Sequence, residues 1–305
     1  MLKGKSNASL AFGLVIAVAL WGGNNAGTKW LVGSWPPIWT GGTRFFCAGL
    51  LLLGVLRVTT WFGEYVVPSR ELSRALWLRG GLSLAVYIVA FNFALRYTSA
   101  SHVALYLGAS PVWALLWEAH SERIRIGLAR WGAALLALSG VGVLLAPSLA
   151  GSTVNLTGEL LGLATSVLWT NYGRQSRKLS ATLNGAEVSA HTMWRAGVLL
   201  LPLALVEIVQ RGVPLSAGLL GVQAYCIVAG GVVAFALWNR ALGQWPASRV
   251  LLFNNLIPVS TMTWANFCLG EPVTPTFLVA LGLIALGVLL GQVAASKAAR
   301  TEPEL

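Results

Sequence analysis

The sequence predicts an all-α polytopic membrane protein in which ten transmembrane helices form two inverted five-helix repeats. Composition, an internal duplication and the placement of positive charge lead to this fold class. Of the 305 residues, 56% are hydrophobic and only 10% are charged, whereas a soluble domain carries about 25% charged residues. Because so few charges cannot cover a water-soluble surface, we expect most of the chain to lie within a bilayer.

The duplication is clearest in a helix hairpin that occurs twice. Residues 92–118 predict the end of one apolar helix, a tight turn and a second helix with a proline in its middle. A degraded copy follows at residues 239–265, and subtracting the positions of Pro258 and Pro111 gives 258 − 111 = 147. One gapless register over a whole hairpin is typical of an internal duplication.

Ten segments reach the length of about 20 mostly apolar residues that a spanning helix needs. They cover residues 9–31, 37–57, 74–95, 99–118, 127–146, 156–176, 186–208, 217–241, 246–268 and 274–294. Because each repeat then holds five helices, an odd number, the second copy is inverted relative to the first, as in many secondary transporters. This assigns residues 1–147 and 148–296 to the two repeats and residues 297–305 to a cytoplasmic tail.

The positive charges orient the chain. With the N-terminus inside, 16 of the 21 Lys and Arg residues lie at the inner side, three at the outer side, and two within helices. The positive-inside rule therefore predicts cytoplasmic N- and C-termini. Since the net charge of +11 is distributed at helix ends rather than along a basic stripe, we expect no nucleic-acid partner.

Three segments resemble a known family. They are ALWGGNNAGTK in the first helix, TSASHVALYLGASPVWALL in the fourth and WPASRVLLFNNLIPVSTMTWANFCLGEPVT in the ninth, with Glu122 and Glu271 after the proline helices. These segments resemble the EamA family of the drug/metabolite transporter superfamily, and the resemblance covers nearly the whole chain. It implies ten helices in two inverted repeats, cytoplasmic termini, and export or exchange of small metabolites such as amino acids. The aromatic-rich interior further resembles the bacterial aromatic amino acid exporters.

Helical spacing singles out candidate substrate-binding residues in the fourth helix. His102, Tyr106, Ser110, Trp113 and Trp117 lie on one face, at steps of four, four, three and four. Polar groups on this face would be unsatisfied in lipid, so the face either lines a cavity or packs against neighbouring helices. We interpret Tyr106 and Trp113 as cavity-lining and Trp117 as part of the interfacial aromatic belt. His102 is either a substrate contact or a hydrogen-bonded structural histidine.

The first helix adds Trp21, Asn24 and Asn25, next to two glycines. Amides at midspan are costly in hydrocarbon, so they either line a cavity or bond across closely packed helices. Trp169 and Tyr172 in the sixth helix are the repeat-related counterparts, and both interpretations apply to them.

Tyr87, His191 and Asn254 complete the predicted substrate-binding set, and His191 suits a pH-sensitive role. Pro111 and Pro258 each remove a backbone donor and free the carbonyl four residues earlier. We interpret the two prolines as hinges, with static kinks as the alternative.

Arg44 and Arg195 are the two charges within helices. A buried arginine is either paired or functional. One hypothesis is a bidentate clamp on a substrate carboxylate; the other is that each bonds carbonyls near a helix end or snorkels. Because both repeats carry the arginine while a single substrate offers one carboxylate, we predict structural roles.

These residues predict a secondary transporter or exporter of small metabolites, most of all aromatic or apolar amino acids, that works by alternating access. Asp is absent and the glutamates lie near helix ends, which favours facilitated diffusion or exchange over obligatory proton antiport. Organic cations such as choline are the alternative substrates, because aromatic faces also bind cations.

An integral membrane enzyme is a distant alternative. The sequence contains no H-E-x-x-H, no G-x-S-x-G and no G-x-x-x-x-G-K-[ST] motif. We therefore expect no catalytic residues, no cofactor and no metal. The expected partners are a small-molecule substrate and the lipid bilayer of a bacterial inner membrane, with the protein as a monomer or homodimer.

Overall fold

The structure is a computed structural model that describes residues 2–61, 64–121, 127–149, 155–242, 244, 250 and 252–301. Its α-helices, numbered in chain order, are α1 (Leu2–Ser34), α2 (Pro37–Val58), α3 (Arg70–Ala75), α4 (Leu82–Tyr97), α5 (Ala100–Gly108), α6 (Ser110–Ser121), α7 (Leu128–Leu149), α8 (Leu156–Leu179), α9 (Gly185–Arg211), α10 (Ala217–Tyr225), α11 (Ala234–Leu242), α12 (Ile257–Leu269) and α13 (Pro275–Thr301). Two π-helical segments, Leu76–Gly81 and Cys226–Val233, join α3 to α4 and α10 to α11, and a 3₁₀ segment, Leu252–Leu256, precedes α12.

Within these residues, seven helical stretches are long and apolar enough to cross a membrane. They are Ala8–Ser34, Pro37–Val58, Arg70–Tyr97, Leu128–Pro147, Gly185–Arg211, Ala217–Ala241 and Pro275–Ala294. The other three predicted spans are also helical, but they are broken or polar. The fourth is divided into α5 and α6, the sixth (α8) is rich in polar side chains, and α12 has only 13 residues.

The two prolines lie at helix starts, not in helix interiors as the sequence analysis predicted. Helix α5 ends at Gly108, Ala109 connects it to α6, and Pro111 is the second residue of α6. Pro258 likewise is the second residue of α12, directly after the 3₁₀ segment. The first turn of a helix tolerates proline because its missing N–H would have no intrahelical partner there. The predicted continuous helices 99–118 and 246–268 are therefore wrong in this respect.

Helices from the two predicted repeats pack on each other in antiparallel pairs. Along α2 and α9 the close approaches join rising residue numbers to falling ones: Gly42 meets Leu200, Phe46 meets Gly197, and Gly49 meets Met193. The same holds for α7 and α13, where Gly140 meets Ile284 and Gly287 meets Ala137. Small residues at these crossings let the backbones approach closely.

Each π-helical segment contains a Gly-Gly pair, Gly80-Gly81 and Gly230-Gly231, which the sequence analysis did not single out. A Cβ on Gly80 would overlap Thr192 of α9, and a Cβ on Gly230 would overlap Asn24 of α1. The glycines therefore allow each π-helical segment to contact a helix of the other predicted repeat. π-Bulges are frequent at functional sites, and both of these border the interior polar groups described next.

Two glutamates stabilise helix starts from a distance. Glu207, in the last turns of α9, accepts hydrogen bonds from the backbone N–H groups of Ile38 and Trp39 at 2.8 and 3.0 Å. Glu271 accepts from the backbone N–H of Ala100 at 2.8 Å. Negative charge is favourable at a helix N-terminus because the first N–H groups have no intrahelical acceptor. These carboxylates tie distant segments to α2 and α5.

Candidate functional site

Arg44 lies in the interior between α1, α2 and α4. Its Nη1 donates hydrogen bonds to Thr28 Oγ1 and, at 3.5 Å, to Asn24 Oδ1. The guanidinium carbon lies 4.5 Å from the ring centre of Phe45 and 5.7 Å from that of Phe91. Only 4% of the residue is exposed. The guanidinium is thus held by α1 and by two aromatic rings, away from solvent.

A chain of aromatic rings extends from Arg44 to α8. Phe91, which lies near the Arg44 guanidinium, stacks on Tyr87, whose ring centre lies 5.6 Å from that of Phe91 and 4.9 Å from that of Trp169. Trp169 in turn lies 5.4 Å from Tyr172. Offset and tilted pairs at these separations are favourable. We refer to Asn24, Arg44, Tyr87, Phe91, Trp169 and Tyr172 as the central cluster.

Several polar groups of the central cluster have no protein partner in the described part of the chain. Tyr172 is satisfied, because its hydroxyl bonds Thr192 Oγ1 at 2.9 Å. No described residue accepts from Arg44 Nε or Nη2, and none bonds the Tyr87 hydroxyl or Trp169 Nε1. The central cluster therefore holds, beside its aromatic faces, buried polar groups that the described part of the protein does not bond.

A second cluster surrounds Glu159 in the first turn of α8. This carboxylate is fully buried and accepts hydrogen bonds from the Thr98 hydroxyl, from His102 Nδ1 at 3.0 Å and from the Tyr106 hydroxyl at 2.6 Å. Because a carboxylate can only accept, Nδ1 of His102 carries the proton. The sequence analysis placed Glu159 near a helix end and missed this role. The signal in the sequence is the spacing of His102 and Tyr106, which places two hydrogen-bond donors on one helix face and indicates a shared acceptor.

The remainder of the predicted α5–α6 face also lies against α8. Trp113 donates from Nε1 to Ser166 Oγ at 2.7 Å, Ser110 Oγ lies 3.5 Å from the Ser166 carbonyl oxygen, and the Arg174 guanidinium lies 4.4 Å from the Trp117 ring centre. The five residues therefore share one face, as the spacing predicts. The face packs on a neighbouring helix, which is the alternative to cavity-lining that the sequence left open.

A third cluster surrounds Arg195 in α9. Its Nη1 bonds His191 Nδ1 at 2.9 Å and the His191 carbonyl oxygen at 3.1 Å, while Nη2 donates to Ser73 Oγ at 3.2 Å. The guanidinium lies 4.3 Å from the Trp194 ring centre. His191 Nε2 is 3.3 Å from the Tyr65 hydroxyl. Arg195 thus bonds a carbonyl and a side chain of its own helix and one side chain of α3.

The structure brings four of the predicted substrate-binding residues together, namely Asn24, Tyr87, Trp169 and Tyr172. It places others elsewhere. Trp21 donates to the Gly230 carbonyl at 3.1 Å and packs on Trp238, Asn25 donates to Thr261 Oγ1 at 3.0 Å, and half-buried Asn254 lies in the 3₁₀ segment. The two asparagines of α1 thus diverge: Asn25 bonds α12, whereas Asn24 faces Arg44.

Comparison with known proteins decides the family. The sequence profile of the EamA-like transporter family matches residues 8–146 and, a second time, residues 156–291. The chain belongs to the EamA-like transporter family. The double match shows that this EamA-like transporter contains a duplicated domain. It is a multi-pass membrane protein of the transporter class.

Curated relatives agree with this class at low identity. The EamA-like transporter is 24% identical to an uncharacterized transporter of Archaeoglobus fulgidus, over 91% of this chain and 96% of that protein. It is 23% identical to a probable amino-acid metabolite efflux pump of Salmonella typhimurium, over 90% and 92% of the respective chains. A solved crystal structure superposes with a TM-score of 0.63 at 21% identity, covering 93% of this chain and 98% of the other, which supports the fold alone.

Proposed function

We propose that this EamA-like transporter is a secondary exporter of amino acids with aromatic or apolar side chains, located in a bacterial inner membrane. The observation that carries this proposal is the central cluster. It combines four aromatic rings with a buried guanidinium and an amide, at the junction of helices from both repeats. An apolar or aromatic side chain would be complementary to the ring faces, and the polar ends of an amino acid to the unpartnered groups.

Two relatives support the substrate class by their names. The Salmonella typhimurium protein and an Escherichia coli protein, 22% identical over 90% of this chain, are both called probable amino-acid metabolite efflux pumps. Their names concern those proteins, and at this identity they favour a class of substrate rather than one compound.

The mechanism we propose is alternating access by ten helices in two inverted repeats, 1–147 and 148–296, with both termini in the cytoplasm. Antiparallel packing of α2 on α9 and of α7 on α13 joins the halves around the central cluster. Rocking of one half on the other would expose a site between them to each side in turn. The glycines at these crossings bring the backbones of the two halves into close contact.

We further propose facilitated diffusion or exchange rather than obligatory proton antiport. The buried carboxylates among the described residues, Glu159, Glu187 and Glu207, all accept hydrogen bonds near helix ends and not from the central cluster. Equal transport rates with and without an imposed pH gradient would support this proposal. Strict dependence on the gradient would overturn it and would direct attention to His102 and Glu159.

Organic cations such as choline are the second candidate, because neighbouring aromatic rings, those of Tyr87, Phe91 and Trp169, suit a quaternary ammonium. Arg44 argues against this candidate. Its guanidinium lies within 5.7 Å of the Phe91 ring, so a cation bound to the same rings would be repelled.

Counterflow into liposomes tests the proposal. Purified protein is reconstituted with internal unlabelled L-phenylalanine, and uptake of external labelled L-phenylalanine is compared with uptake in a choline-loaded set. We expect uptake with phenylalanine only, at least tenfold reduced in Trp169→Ala and retained in Trp61→Ala, an exposed tryptophan outside the helices. Uptake into the choline-loaded liposomes, without uptake into the phenylalanine-loaded ones, would indicate a transporter of organic cations instead.

A further inference from the structure

We propose that Arg44 is the anchor for a substrate carboxylate, so that every transported substrate must carry a carboxylate group. This inference rests on the proposed function, in that it takes the central cluster as the substrate site. It assigns to one residue the recognition of the charged end of the substrate. The sequence analysis had favoured a structural role for Arg44.

The first argument is the missing counter-ion. Arg44 is 4% exposed, and its protein partners are the neutral side chains of Thr28 and Asn24. Among the described residues, the ion pair within 4.0 Å joins His102 to Glu159, so no carboxylate neutralises Arg44. A buried cation inside a membrane protein is costly unless it is paired. A bound anion would supply the missing charge.

The second argument is the edge of the guanidinium that remains free. Thr28 and Asn24 both bond Nη1. The Nε and Nη2 groups form one side of the planar fork, and their N–H bonds run in parallel. This is the edge that binds the two oxygens of a carboxylate in a bidentate pair. The protein thus leaves open the edge that suits a carboxylate.

The third argument is preorganisation. The two bonds to α1 and the flanking rings of Phe45 and Phe91 fix the plane of the guanidinium, so little rotamer entropy remains to be lost when a substrate binds. Tyr87 stacks on Phe91 in the same cluster, and its hydroxyl, which has no partner among the described residues, can donate a further hydrogen bond. The faces of Tyr87 and Trp169 are then left for the apolar part of the substrate.

Arg195 provides the internal comparison. It is as deeply buried as Arg44, but its Nη1 and Nη2 are occupied by His191 and Ser73, and its Nε is sealed in the packing. It has no open edge. The two arginines therefore differ, because the protein bonds both Nη atoms of Arg195 but only Nη1 of Arg44. One substrate carboxylate is matched by one open guanidinium.

The first experiment changes the substrate and leaves the protein intact. Counterflow of labelled L-phenylalanine by the wild-type protein is measured against increasing 3-phenylpropionate, which keeps the carboxylate and lacks the amine, and against 2-phenylethylamine, which keeps the amine and lacks the carboxylate. We expect 3-phenylpropionate to inhibit at a concentration at least tenfold lower. Equal or stronger inhibition by 2-phenylethylamine would overturn the proposal.

The second experiment changes the arginine. Arg44→Gln is expected to lower the apparent affinity for L-phenylalanine and for 3-phenylpropionate at least tenfold while changing that for 2-phenylethylamine less than threefold. Arg44→Lys keeps the positive charge but lacks the planar guanidinium that can bond two carboxylate oxygens, so it should lower the affinity for the two carboxylates by an intermediate factor. Arg195→Gln is the matched control, expected to keep the wild-type ratio between the carboxylate and the amine. An unchanged ratio in Arg44→Gln would contradict the proposal.

A binding measurement separates this inference from the proposed function. The apparent Tm of detergent-purified protein is recorded with each of the three compounds. In one outcome, wild-type protein exchanges no L-phenylalanine, but 3-phenylpropionate raises its Tm and raises the Tm of Arg44→Gln less. The proposed substrate is then wrong, and the carboxylate anchor stands. If L-phenylalanine is exchanged equally by wild type and Arg44→Gln, the proposed function stands and the anchor is wrong.

Discussion

Arg44 and Arg195 lie in corresponding helices of a duplicated domain, yet their surroundings differ. Each is buried and packs on aromatic rings. Arg195 is held by His191 and Ser73, whereas Arg44 uses one nitrogen on α1 and leaves an edge open. The duplication thus supplied the same charge twice, and the neighbours now bond both Nη atoms of Arg195 but only Nη1 of Arg44.

This comparison indicates that the hydrogen-bond partners of a buried polar group distinguish a role in stability from a role in substrate recognition. The clusters around Glu159 and Arg195 are largely satisfied by the protein, so their loss should reduce stability. The central cluster is not satisfied, so its loss should affect substrate recognition more than folding. The predictions that follow test this division.

The largest effect on stability is expected for Glu159→Ala. Removal of the carboxylate leaves the buried donors Thr98, His102 and Tyr106 without their shared acceptor. We expect a loss of about 3 kcal/mol in the free energy of unfolding, since leaving one buried hydrogen-bonding group unsatisfied costs about 1–3 kcal/mol and three donors lose their acceptor here. Denaturant unfolding in detergent measures it. Glu71→Ala, an exposed residue of α3, is the control and should change stability by no more than about 0.5 kcal/mol.

The next effect compares the two arginines directly. Arg195→Gln should lower the free energy of unfolding by about 2–3 kcal/mol, because hydrogen bonds to a charged group contribute about 1.5–3 kcal/mol. Arg44→Gln should cost about 1 kcal/mol or less, because Arg44 makes two hydrogen bonds, one of them long at 3.5 Å, whereas Arg195 makes three. Equal losses in the same unfolding assay would contradict the distinction between an arginine bonded through both Nη atoms and one bonded through Nη1 alone.

A smaller effect tests the helix crossing between the two halves. A Cβ on Gly287 would lie 2.6 Å from the Ala133 carbonyl oxygen and 2.6 Å from the Ala137 nitrogen. Gly287→Ala should therefore destabilise by about 1–3 kcal/mol through overpacking. Gly282 lies on the same helix with open space around it, so Gly282→Ala should be neutral or stabilising by up to about 1 kcal/mol. Thermal unfolding of the pair checks this, and similar Tm values for both variants would rule out the tight α7–α13 crossing.

The smallest effect concerns two tyrosine hydroxyls. Tyr172→Phe removes the hydrogen bond to Thr192 and should cost about 1 kcal/mol of stability. Tyr87→Phe removes a hydroxyl without a partner among the described residues and should change stability by less than about 0.5 kcal/mol, while weakening L-phenylalanine exchange. Parallel unfolding and counterflow measurements separate the two. A larger stability loss in Tyr87→Phe would show that its hydroxyl is already used by the protein.

The sequence predicted much of the architecture because the relevant features are local. Apolar runs predicted the seven membrane-competent helices, and helical spacing placed His102, Tyr106 and Trp113 on one face of α5 and α6. The helix boundaries around Pro111 and Pro258 were predicted wrongly, because a proline is compatible both with a kink and with a helix start. Which of these it marks depends on whether the preceding residues stay helical, and that depends on packing.

The candidate site was predicted less well, for the same reason. Asn24, Tyr87, Trp169 and Tyr172 meet as a group, but Tyr106 is fully buried against α8 and bonds Glu159. The role of Glu159 was missed because a glutamate near a helix end is usually solvated. Its burial comes from three donors 53 to 61 residues away along the chain.

The helical membrane class, the duplication and the family of this protein follow from its sequence. Composition, periodicity and repeated motifs can be read along the chain without knowing which helices pack together. Only the tertiary structure decided which buried polar groups are satisfied and which are open. Arg44 and Arg195 are indistinguishable as positions in a repeat. They differ because the partners of a side chain come from helices that are distant in sequence, and the hydrogen bonds of those partners determine whether a charge is left for a substrate.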